Sequence, residues 1–417
     1  GPLLDYVLGT MSLAQRYAER LPDLKAPNAT YSGAFDLTFL VTGRILGVIR
    51  PEDYGSITGD PFLSQRFGVE RLPDPTPIHR TLHRLEGEDE RATCRDVHRS
   101  VLADALRLDG FEPYAILDAD SSVEIVYGDQ MEGGVVGYNP NAHGRRSYRP
   151  LLFTDGVRQL VLGAWLRPGD STESTDLFDR FKETCSEMEA LGHPVLFFRA
   201  DRGFQGEEVF ALCEGRNIGS AVKIRETSGL GKALAEATFV PVSGPDEAEK
   251  IEVADLHVRL HGWSCIRRVV AVRRRFEDPA RLYLPRLGWR YEFVATNIEG
   301  DAWAVADFYN KRCRAENVIK VLKAGFGIDR LSTASFGAND ADLVLKITAY
   351  NLVWAFRHQV LPAHWRPMTI RRLRLALLHV PGVLVHHARR LFLRIASWYP
   401  HQEESQAIRE RLAPLLA

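Results

Sequence analysis

The sequence contains few cysteines, and none of them is placed to form a disulfide framework or a zinc site. Five occur in 417 residues, and no two of them are close neighbours along the chain: Cys94, Cys185, Cys213, Cys265 and Cys313. Disulfide-rich domains and zinc modules both show closely spaced pairs of cysteines. The sequence therefore predicts reduced thiols, which are typical of a cytoplasmic protein.

The chain also lacks long apolar runs and an excess of charge of either sign. No apolar stretch approaches the ~20 residues that cross a bilayer, and no secretory signal opens the sequence, so we expect no contact with a membrane. The pair Gly1-Pro2 is typical of a protease-cleavage scar, so we expect the native start to differ. The formal net charge is −1, from 53 Lys and Arg against 54 Asp and Glu. A protein of this balance binds nucleic acid only if its cations are segregated.

Acidic residues are in fact absent from a long segment near the C-terminus. Between His358 and Gln402 there is no Asp or Glu, whereas seven arginines occur there: Arg366, Arg371, Arg372, Arg374, Arg389, Arg390 and Arg394. A second cationic run extends from Arg267 to Arg275. Both runs predict contacts with phosphates, although an amphipathic surface balanced by acids elsewhere would have the same composition.

Acidic residues follow two short apolar segments that have the pattern of strands. Residues 114–117 run into Asp118 and Asp120, and residues 194–198 run towards Asp201. In open α/β sheets, ligand sites lie at the carboxyl ends of strands, where half-shielded carboxylates suit a divalent cation. An aspartate that caps the next helix would give the same pattern at either site alone.

Four polar residues recur at helical spacing in the segment 307–323. Tyr309, Arg312, Glu316 and Lys323 are three, four and seven residues apart, which places them on one face of a single predicted helix. One carboxylate among cations and a phenol suits a metal ligand held against nucleic acid. A solvated helix with ion pairs four residues apart is the ordinary alternative.

Together, the two aspartate sites and the spacing Tyr-x2-Arg-x3-Glu-x6-Lys resemble the DDE transposases of bacterial insertion sequences that carry the YREK signature. Further segments resemble insertion-sequence family 1380, which is related to family 4. These segments are residues 117–120, 137–140, 147–151, 166–169, 199–201, 296–297 and 350–351. The resemblance extends over about residues 55–395.

This resemblance implies an α/β fold in which an RNase H-like catalytic core is interrupted by a mostly β insertion domain, with helical N-terminal and C-terminal regions. Five parts follow: a helical DNA-binding region (1–109), the first part of the core (110–224), the β-rich insertion (225–300), the second part of the core with the catalytic Glu helix (301–360) and a basic helical C-terminal region (361–417).

The resemblance also implies metal-dependent phosphoryl transfer. Asp120, Asp201 and Glu316 are the implied ligands of two Mg²⁺ ions, for which Mn²⁺ can substitute, and no small-molecule cofactor is expected. Strand alternation puts Asp118 on the same face as Asp120, so either could reach the metal. We prefer Asp120 because Ser121 follows it, as in the related motif, and expect Asp118 to orient a ligand or a basic side chain. Arg202, directly after the second aspartate, departs from the smaller residue expected there.

The implied activity is that of a DNA transposase that binds the terminal inverted repeats of an insertion sequence, cleaves them in a cut-and-paste route through hairpin ends, and joins them to target DNA. Its partners are therefore the repeats and the target DNA. Joining two ends requires two active sites, which predicts a homodimer on paired ends. The expected location is the bacterial cytoplasm, at the nucleoid.

Three further regions carry predicted DNA contacts, besides Tyr309, Arg312 and Lys323. A helix-turn-helix-like segment, whose second helix would be capped by Thr76, supplies Arg80 and Arg84. The insertion supplies Trp263 or Trp289 as an aromatic that stacks on a flipped base. A loop at residues 128–150 supplies aromatics and cations: Tyr138, Arg145, Arg146, Tyr148 and Arg149. For all of these side chains, packing within the protein is the alternative role.

Two other functions fit part of the sequence. A domesticated relative would bind DNA ends without cutting them, although all three acids are retained. The segment from Asp118 to Ser122 also resembles the nucleophile motif of haloacid-dehalogenase-type phosphatases. That family, however, offers no reason for the spacing from Tyr309 to Lys323.

Overall fold

The computed structural model describes residues 1–108, 110–139, 142–172, 175–242, 249–276, 288–387 and 390–416. The α-helices are α1 (Pro2–Asp5), α2 (Leu13–Arg20), α3 (Gly33–Leu46), α4 (Pro61–Arg66), α5 (Pro75–His83), α6 (Glu88–Leu106), α7 (Leu177–Ala190), α8 (Glu207–Gly215), α9 (Ser228–Ala235), α10 (Ala302–Asn310), α11 (Cys313–Val321), α12 (Phe336–Gln359), α13 (Ile370–Leu377) and α14 (Gln402–Leu416). The strands are β1 (Ala115–Ser121), β2 (Glu124–Ile125), β3 (Val135–Val136), β4 (Arg146–Tyr148), β5 (Leu151–Asp155), β6 (Val161–Trp165), β7 (Val195–Ala200), β8 (Gly219–Ile224), β9 (Val240–Val242), β10 (Glu249–Val258), β11 (Arg267–Phe276), β12 (Arg290–Thr296), β13 (Gly382–His387) and β14 (Arg390–Ile395).

A mixed nine-stranded sheet forms the centre of the fold, in the order β6-β5-β1-β7-β8-β12-β11-β10-β9. Strand β1 pairs antiparallel with β5 and parallel with β7, which in turn pairs parallel with β8. Strands β6, β5 and β1 form an antiparallel meander, and β7 and β8 continue the sheet parallel to β1, which is the arrangement of an RNase H-like core. The predicted α/β fold class is therefore confirmed.

Helices cover the core sheet on both sides. Strands β5 and β6 are buried at every position, which explains their continuous apolar sequences. On one side, α7 brings Phe181 against Phe198 of β7, with ring centroids 4.6 Å apart. The long helix α12 contacts β6, α6 and α3 and is buried along most of its length, including several polar and charged side chains.

Strands of the predicted insertion continue the central sheet. Strand β12 pairs antiparallel with β8, and β11, β10 and β9 follow outward. Strand β10 is one of the two longest of these strands and spans ten residues, as does β11. The boundaries 225–300, like the other four predicted divisions, stay predictions.

The N-terminal region is helical, with one shift in a predicted boundary. Helix α4 begins after Asp60, whose carboxylate accepts the Leu63 N–H at 2.9 Å. Helix α5 begins at Pro75, with Asp74 at its N-cap, so Thr76 lies in the first turn and is not the cap. Proline is favoured at the first helical position, which explains the earlier start.

The C-terminal region contains α13 and α14 but also a β-hairpin that the sequence analysis did not predict. Strands β13 and β14 form a two-stranded antiparallel sheet, from Gly382↔Ile395 to His387↔Arg390. Pro381 follows α13, and the next residues are rich in β-branched and aromatic side chains, which favour extended structure over a helix.

A buried charge cluster joins the N-terminal helices to α12. The Asp342 carboxylate contacts Arg44 of α3 at 2.8 Å and Lys346 at 2.7 Å, and it accepts a hydrogen bond from the Ser332 hydroxyl at 2.6 Å. Burial alone would raise the pKa of Asp342, but the two cations lower it to about 2. The carboxylate therefore remains ionised inside the protein.

Candidate active site

Asp118 is fully buried in the middle of β1 and is paired with Arg199. The two residues are register partners on the neighbouring strands β1 and β7, and two guanidinium–carboxylate contacts of 2.6 and 2.7 Å join them. Burial raises the pKa of Asp118 to about 6, although Arg199 opposes this shift. Arg199 also donates to the Phe308 carbonyl at 2.8 Å, so Asp118 orients a cation that contacts α10.

Asp120 lies near the end of β1, where its side chain remains 18% exposed. One of its oxygens accepts the Ser121 N–H at 2.9 Å, and the other lies 3.2 Å from Nη1 of Arg312. Burial raises the pKa of Asp120 to about 6, the charge of Asp201 adds to the increase, and Arg312 opposes it. Of the two acids on this strand, Asp120 is the one whose carboxylate can reach a ligand.

Asp201 directly follows β7, at the same edge of the sheet as Asp120. Its carboxylate accepts the Gly203 N–H at 2.9 Å and caps a short 3₁₀ turn, Arg202–Phe204. This is the capping role considered as an alternative from the sequence. One oxygen is used in the cap, and Asp201 also lines a cleft together with Arg202.

The predicted single helix over residues 307–323 is broken into three parts. Tyr309 lies in the last turn of α10, Arg312 is the N-cap of α11, and Glu316 lies in the first turn of α11. Lys323 belongs to a π-helical segment, Leu322–Phe326. The prediction that all four lie on one face of a straight helix is therefore wrong. A tight turn, in which the Arg312 N–H donates to the Tyr309 carbonyl, redirects the chain.

The Arg312 guanidinium holds the acidic groups together. It is buried, lies 3.2 Å from Asp120 and 3.3 Å from Glu316, and interacts with the Tyr309 phenol. Burial would lower the pKa of Arg312, but charges that include Asp120 and Asp201 raise it overall. One cation thus interacts with carboxylates from β1, from the end of β7 and from α11.

A cleft of about 430 Å³ opens beside this cluster, and its walls are largely polar or charged. It is lined by Asp201, Arg202, Lys223, Arg290, Tyr309, Asn310, Arg312, Cys313 and Glu316. Lys223 of β8 and Arg290 of β12 were not predicted from the sequence, because neither belongs to a motif. They reach the cleft because β12 pairs with β8. Four cations and two acids line the cleft, which makes it suitable for a phosphodiester.

The donor set fits a divalent cation in its chemistry. Asp120, Asp201 and Glu316 offer hard carboxylate oxygens, the ligand type that Mg²⁺ and Mn²⁺ prefer. In the described part of the chain, no three His, Cys, Asp or Glu side chains are already gathered as a metal cage. Arg312 holds two of the three carboxylates instead, so ion binding would require these side chains to move towards one another.

A further acid, Glu124, was not found from the sequence. Its buried carboxylate lies 3.0 Å from the Lys323 ammonium and accepts a hydrogen bond from the Ser122 hydroxyl at 2.6 Å. Arg167 is a second missed residue; it is buried and donates to the Ser121 hydroxyl at 3.0 Å. The Ser122 hydroxyl is therefore held by Glu124, which belongs to no predicted motif. The Ser121 hydroxyl is held by Arg167, which is remote in sequence.

The predicted DNA-contact loop divides into exposed and braced residues. Tyr138 is 65% exposed, and Arg145 is exposed as well. Arg146 donates to backbone carbonyls of the loop, Tyr148 is buried against Phe336, and Arg149 is buried beneath Tyr138. The last three brace the loop in this conformation, so the predicted DNA contacts rest mainly on Tyr138 and Arg145.

The other predicted DNA contacts also differ in exposure. Trp263 is a core residue packed on Phe210, and it is not accessible for stacking on a base. Trp289 is half-buried, with the Arg273 guanidinium 4.6 Å from its ring centre. Arg80 and Arg84 are exposed on or beside α5.

The two cationic runs differ in how far their charge is neutralised. In the run along β11, carboxylates pair with three arginines: Arg267 with Glu207 and Glu214, Arg268 with Asp255, and Arg273 with Glu252. The expectation that this run is a free phosphate-binding surface is therefore wrong for these three. In the C-terminal run, Arg374 is buried and donates to backbone carbonyls, while Arg371, Arg372 and Arg394 are exposed. Arg389 and the Arg390 side chain lie outside the described residues.

The phosphatase alternative requires both aspartates of the β1 pair, one to attack phosphorus and the other to act as acid or base. Asp118 does not fit either role, because it is fully buried and makes two contacts with Arg199.

Across the parts of the chain that the structure describes, no helix has both the length and the apolar character needed to span a bilayer.

Among the comparisons with known proteins, a family model matches nearly the whole chain. Residues 3–417 match the family described as Transposase DDE domain group 1, whose members generally use divalent metals. No curated protein matches the sequence. Among solved structures, the piggyBac transposase in a synaptic complex with hairpin DNA aligns with a TM-score of 0.41 and 11% identity, over 100% of this chain and 85% of that chain. This likeness is too distant to transfer any property.

Proposed function

The chain belongs to the family of transposases with a DDE domain of group 1, and from this premise we propose that it cuts the ends of a mobile DNA element and joins them to target DNA. The observation that carries the proposal is the grouping of Asp120, Asp201 and Glu316 around Arg312, beside a cleft with cationic walls. Acids from two strand ends and one helix suit phosphoryl transfer, in which positioning and charge stabilisation supply most of the catalysis.

Asp120, Asp201 and Glu316 are the residues that we propose hold two Mg²⁺ ions, or Mn²⁺ in their place. Such a pair, when bound, activates a water or a 3′-hydroxyl and stabilises the leaving oxygen of an in-line displacement. The raised pKa of Asp120 means that this carboxyl must lose its proton before it can serve as a ligand. Its deprotonated form is favoured by Arg312 and would be favoured further by a bound cation.

The cations of the cleft then bind the phosphates of the DNA. When its carboxylate partners turn to an ion, Arg312 becomes free to bind the phosphate under attack through its planar donors. Arg202 and Arg290 are exposed at the cleft and attract the neighbouring phosphates. Tyr309 is buried against Arg312, so we assign it the task of fixing the guanidinium.

At a finer level, we propose that the protein belongs to the YREK group, in insertion-sequence family 1380. The support is the motif of Tyr309, Arg312, Glu316 and Lys323. The first three contact one another through Arg312, and Lys323 pairs with Glu124. We further propose a cut-and-paste route through hairpin ends, a homodimer on paired terminal repeats, and action at the nucleoid of a bacterial cytoplasm. These follow from the resemblance of the motif.

The direct test is cleavage of labelled linear DNA that carries the terminal repeats of the element, with Mg²⁺ or Mn²⁺. We expect the parent protein to release the flank and the Glu316→Gln variant to lose this activity while still binding the DNA. Glu299→Gln, which changes an exposed glutamate away from the cleft, is the matched control and should cleave normally.

The same experiment tests the alternative of a non-cutting DNA-binding relative. If the parent protein binds the repeats tightly but neither nicks nor joins them with either metal, that alternative replaces the transposase. Detection of a hairpin on the released end would support the proposed route, and a linear end alone would count against it.

A further inference from the structure

Lys323 does not point freely into solvent, because a buried acid holds it. Its ammonium lies 3.0 Å from a carboxylate oxygen of Glu124; the side chains are 34% and 5% exposed, respectively. The same carboxylate oxygen accepts the Ser122 hydroxyl at 2.6 Å. A buried glutamate thus fixes the end of a long and otherwise flexible side chain.

This ion pair joins the two segments that bear catalytic acids. Glu124 begins β2, four residues after Asp120, and is held there by pairing of β2 with β4 at Tyr148. Lys323 lies seven residues after Glu316, which corresponds to about 10 Å along a helix. The Ser122 hydroxyl and the strand pairing both fix the acid, so the acid sets the position of the cation.

The chemistry of the two side chains explains why Glu124 controls the position of the Lys323 ammonium. A lysine ammonium is a compact charge on a four-carbon stem and adopts many rotamers when unrestrained. A buried carboxylate is costly to maintain without a partner, so Glu124 favours the rotamer that brings Lys323 to it. The pair also neutralises part of the lysine charge in the free protein.

We propose that Glu124 is a positioning residue that holds the Lys323 ammonium in place for a phosphate of the DNA end. This inference rests on the proposed function, because it assigns Lys323 a phosphate contact in the cleavage complex. Glu124 acts on binding and on cleavage in opposite directions. Its charge competes with DNA for Lys323, whereas its fixed position speeds the chemical step.

The test compares Glu124→Gln with the parent protein in two measurements. The first is the dissociation constant for a fluorescent duplex carrying the terminal repeats, without divalent metal; the second is the single-turnover cleavage rate with Mg²⁺. We expect Glu124→Gln to bind as tightly as the parent or up to about threefold more tightly, since one phosphate contact is worth roughly that factor. We expect cleavage to slow by about 10- to 100-fold, because a misplaced group costs that much.

A double-mutant cycle establishes whether Glu124 acts through Lys323. Lys323→Gln alone should weaken binding by about threefold and slow cleavage. Adding Glu124→Gln to Lys323→Gln should change neither quantity further. A purely structural glutamate would instead weaken binding and cleavage together and would keep its effect in the Lys323→Gln background. Either of these results overturns the proposal.

The outcomes also separate this inference from the proposed function. If the parent protein cleaves no DNA, the proposed function fails, but the binding half of the cycle still reports whether Glu124 and Lys323 act together. If the parent cleaves and Glu124→Gln changes neither binding nor rate, only the positioning role fails. Should Glu124→Gln fold poorly, Lys323→Gln and Lys323→Arg address the pair from its more exposed partner, with Arg expected to retain more of the cleavage rate than Gln.

Discussion

Without divalent metal, the stability of the Asp120→Asn variant relative to that of the parent protein should increase as the pH rises. Burial and the charge of Asp201 raise the pKa of Asp120 from 3.8 to about 6. The folded protein therefore binds this proton more tightly than the unfolded chain does. The parent loses the corresponding stability as the pH rises from about 4 to about 6, and asparagine does not titrate.

The size of the effect follows from the shift. A difference of about two pKa units corresponds to about 3 kcal/mol between ionised and protonated forms. Roughly half of this cost is already present at about pH 5, so the stability gap between Asp120→Asn and the parent should widen by about 1–2 kcal/mol between about pH 5 and about pH 7.5. The pH dependence of the Arg312 contact is already contained in the shifted pKa of Asp120, so this contact adds no separate term to the comparison.

The assay is urea unfolding in the presence of a chelator, followed by tryptophan fluorescence, at both pH values. Asp53→Asn, which changes an exposed aspartate, is the control and should show no widening. Asp118, whose pKa is also about 6, is present in all three proteins and therefore cancels. A constant gap between parent and Asp120→Asn, or one that narrows with rising pH, would refute the idea that Asp120 is ionised at a cost.

Three further predictions concern the metal, the buried charges and the basic tail. Saturating Mg²⁺ at about pH 7.5 should raise the melting temperature of the parent but not of Asp120→Asn, because a ligand that binds only the folded state stabilises it; equal shifts would exclude this carboxylate as a ligand. Asp342→Asn should lower the unfolding free energy in urea by about 3–5 kcal/mol, because it leaves Arg44 and Lys346 buried without their carboxylate; a loss below about 1 kcal/mol would contradict it. Changing Arg371 and Arg372 to glutamine should reduce the dependence of log Kd on log salt by about 2, if each binds one phosphate; an unchanged slope would remove this helix from the DNA surface.

Local sequence was sufficient to predict the parts of the fold that depend on local pattern. The apolar runs before Asp120 and Asp201 predicted β1 and β7, because a short buried parallel strand needs only a continuous apolar segment and a polar stop. Spacing also identified Arg312 and Glu316 as neighbours, since residues four apart meet on a helix.

The features that were not predicted depend on contacts between residues that are far apart in the sequence. The break between α10 and α11 accompanies the contact of Arg312 with Asp120, which is 192 residues away along the chain. Trp263 carries the same aromatic signal whether it packs on Phe210 or stacks on a base, and only the fold distinguishes the two. No sequence pattern links Glu124 to Lys323, because the two residues belong to separate segments that only the fold brings together.

The contacts of Arg312 also bear on whether the chain can fold without a bound metal ion. A guanidinium stays protonated throughout the physiological pH range, so Arg312 supplies part of the charge that balances the carboxylates near it. An acidic cage without such a cation would repel itself and would need its ion during folding. This chain carries a counter-charge of its own, so its acidic cluster does not depend on a bound ion in order to fold.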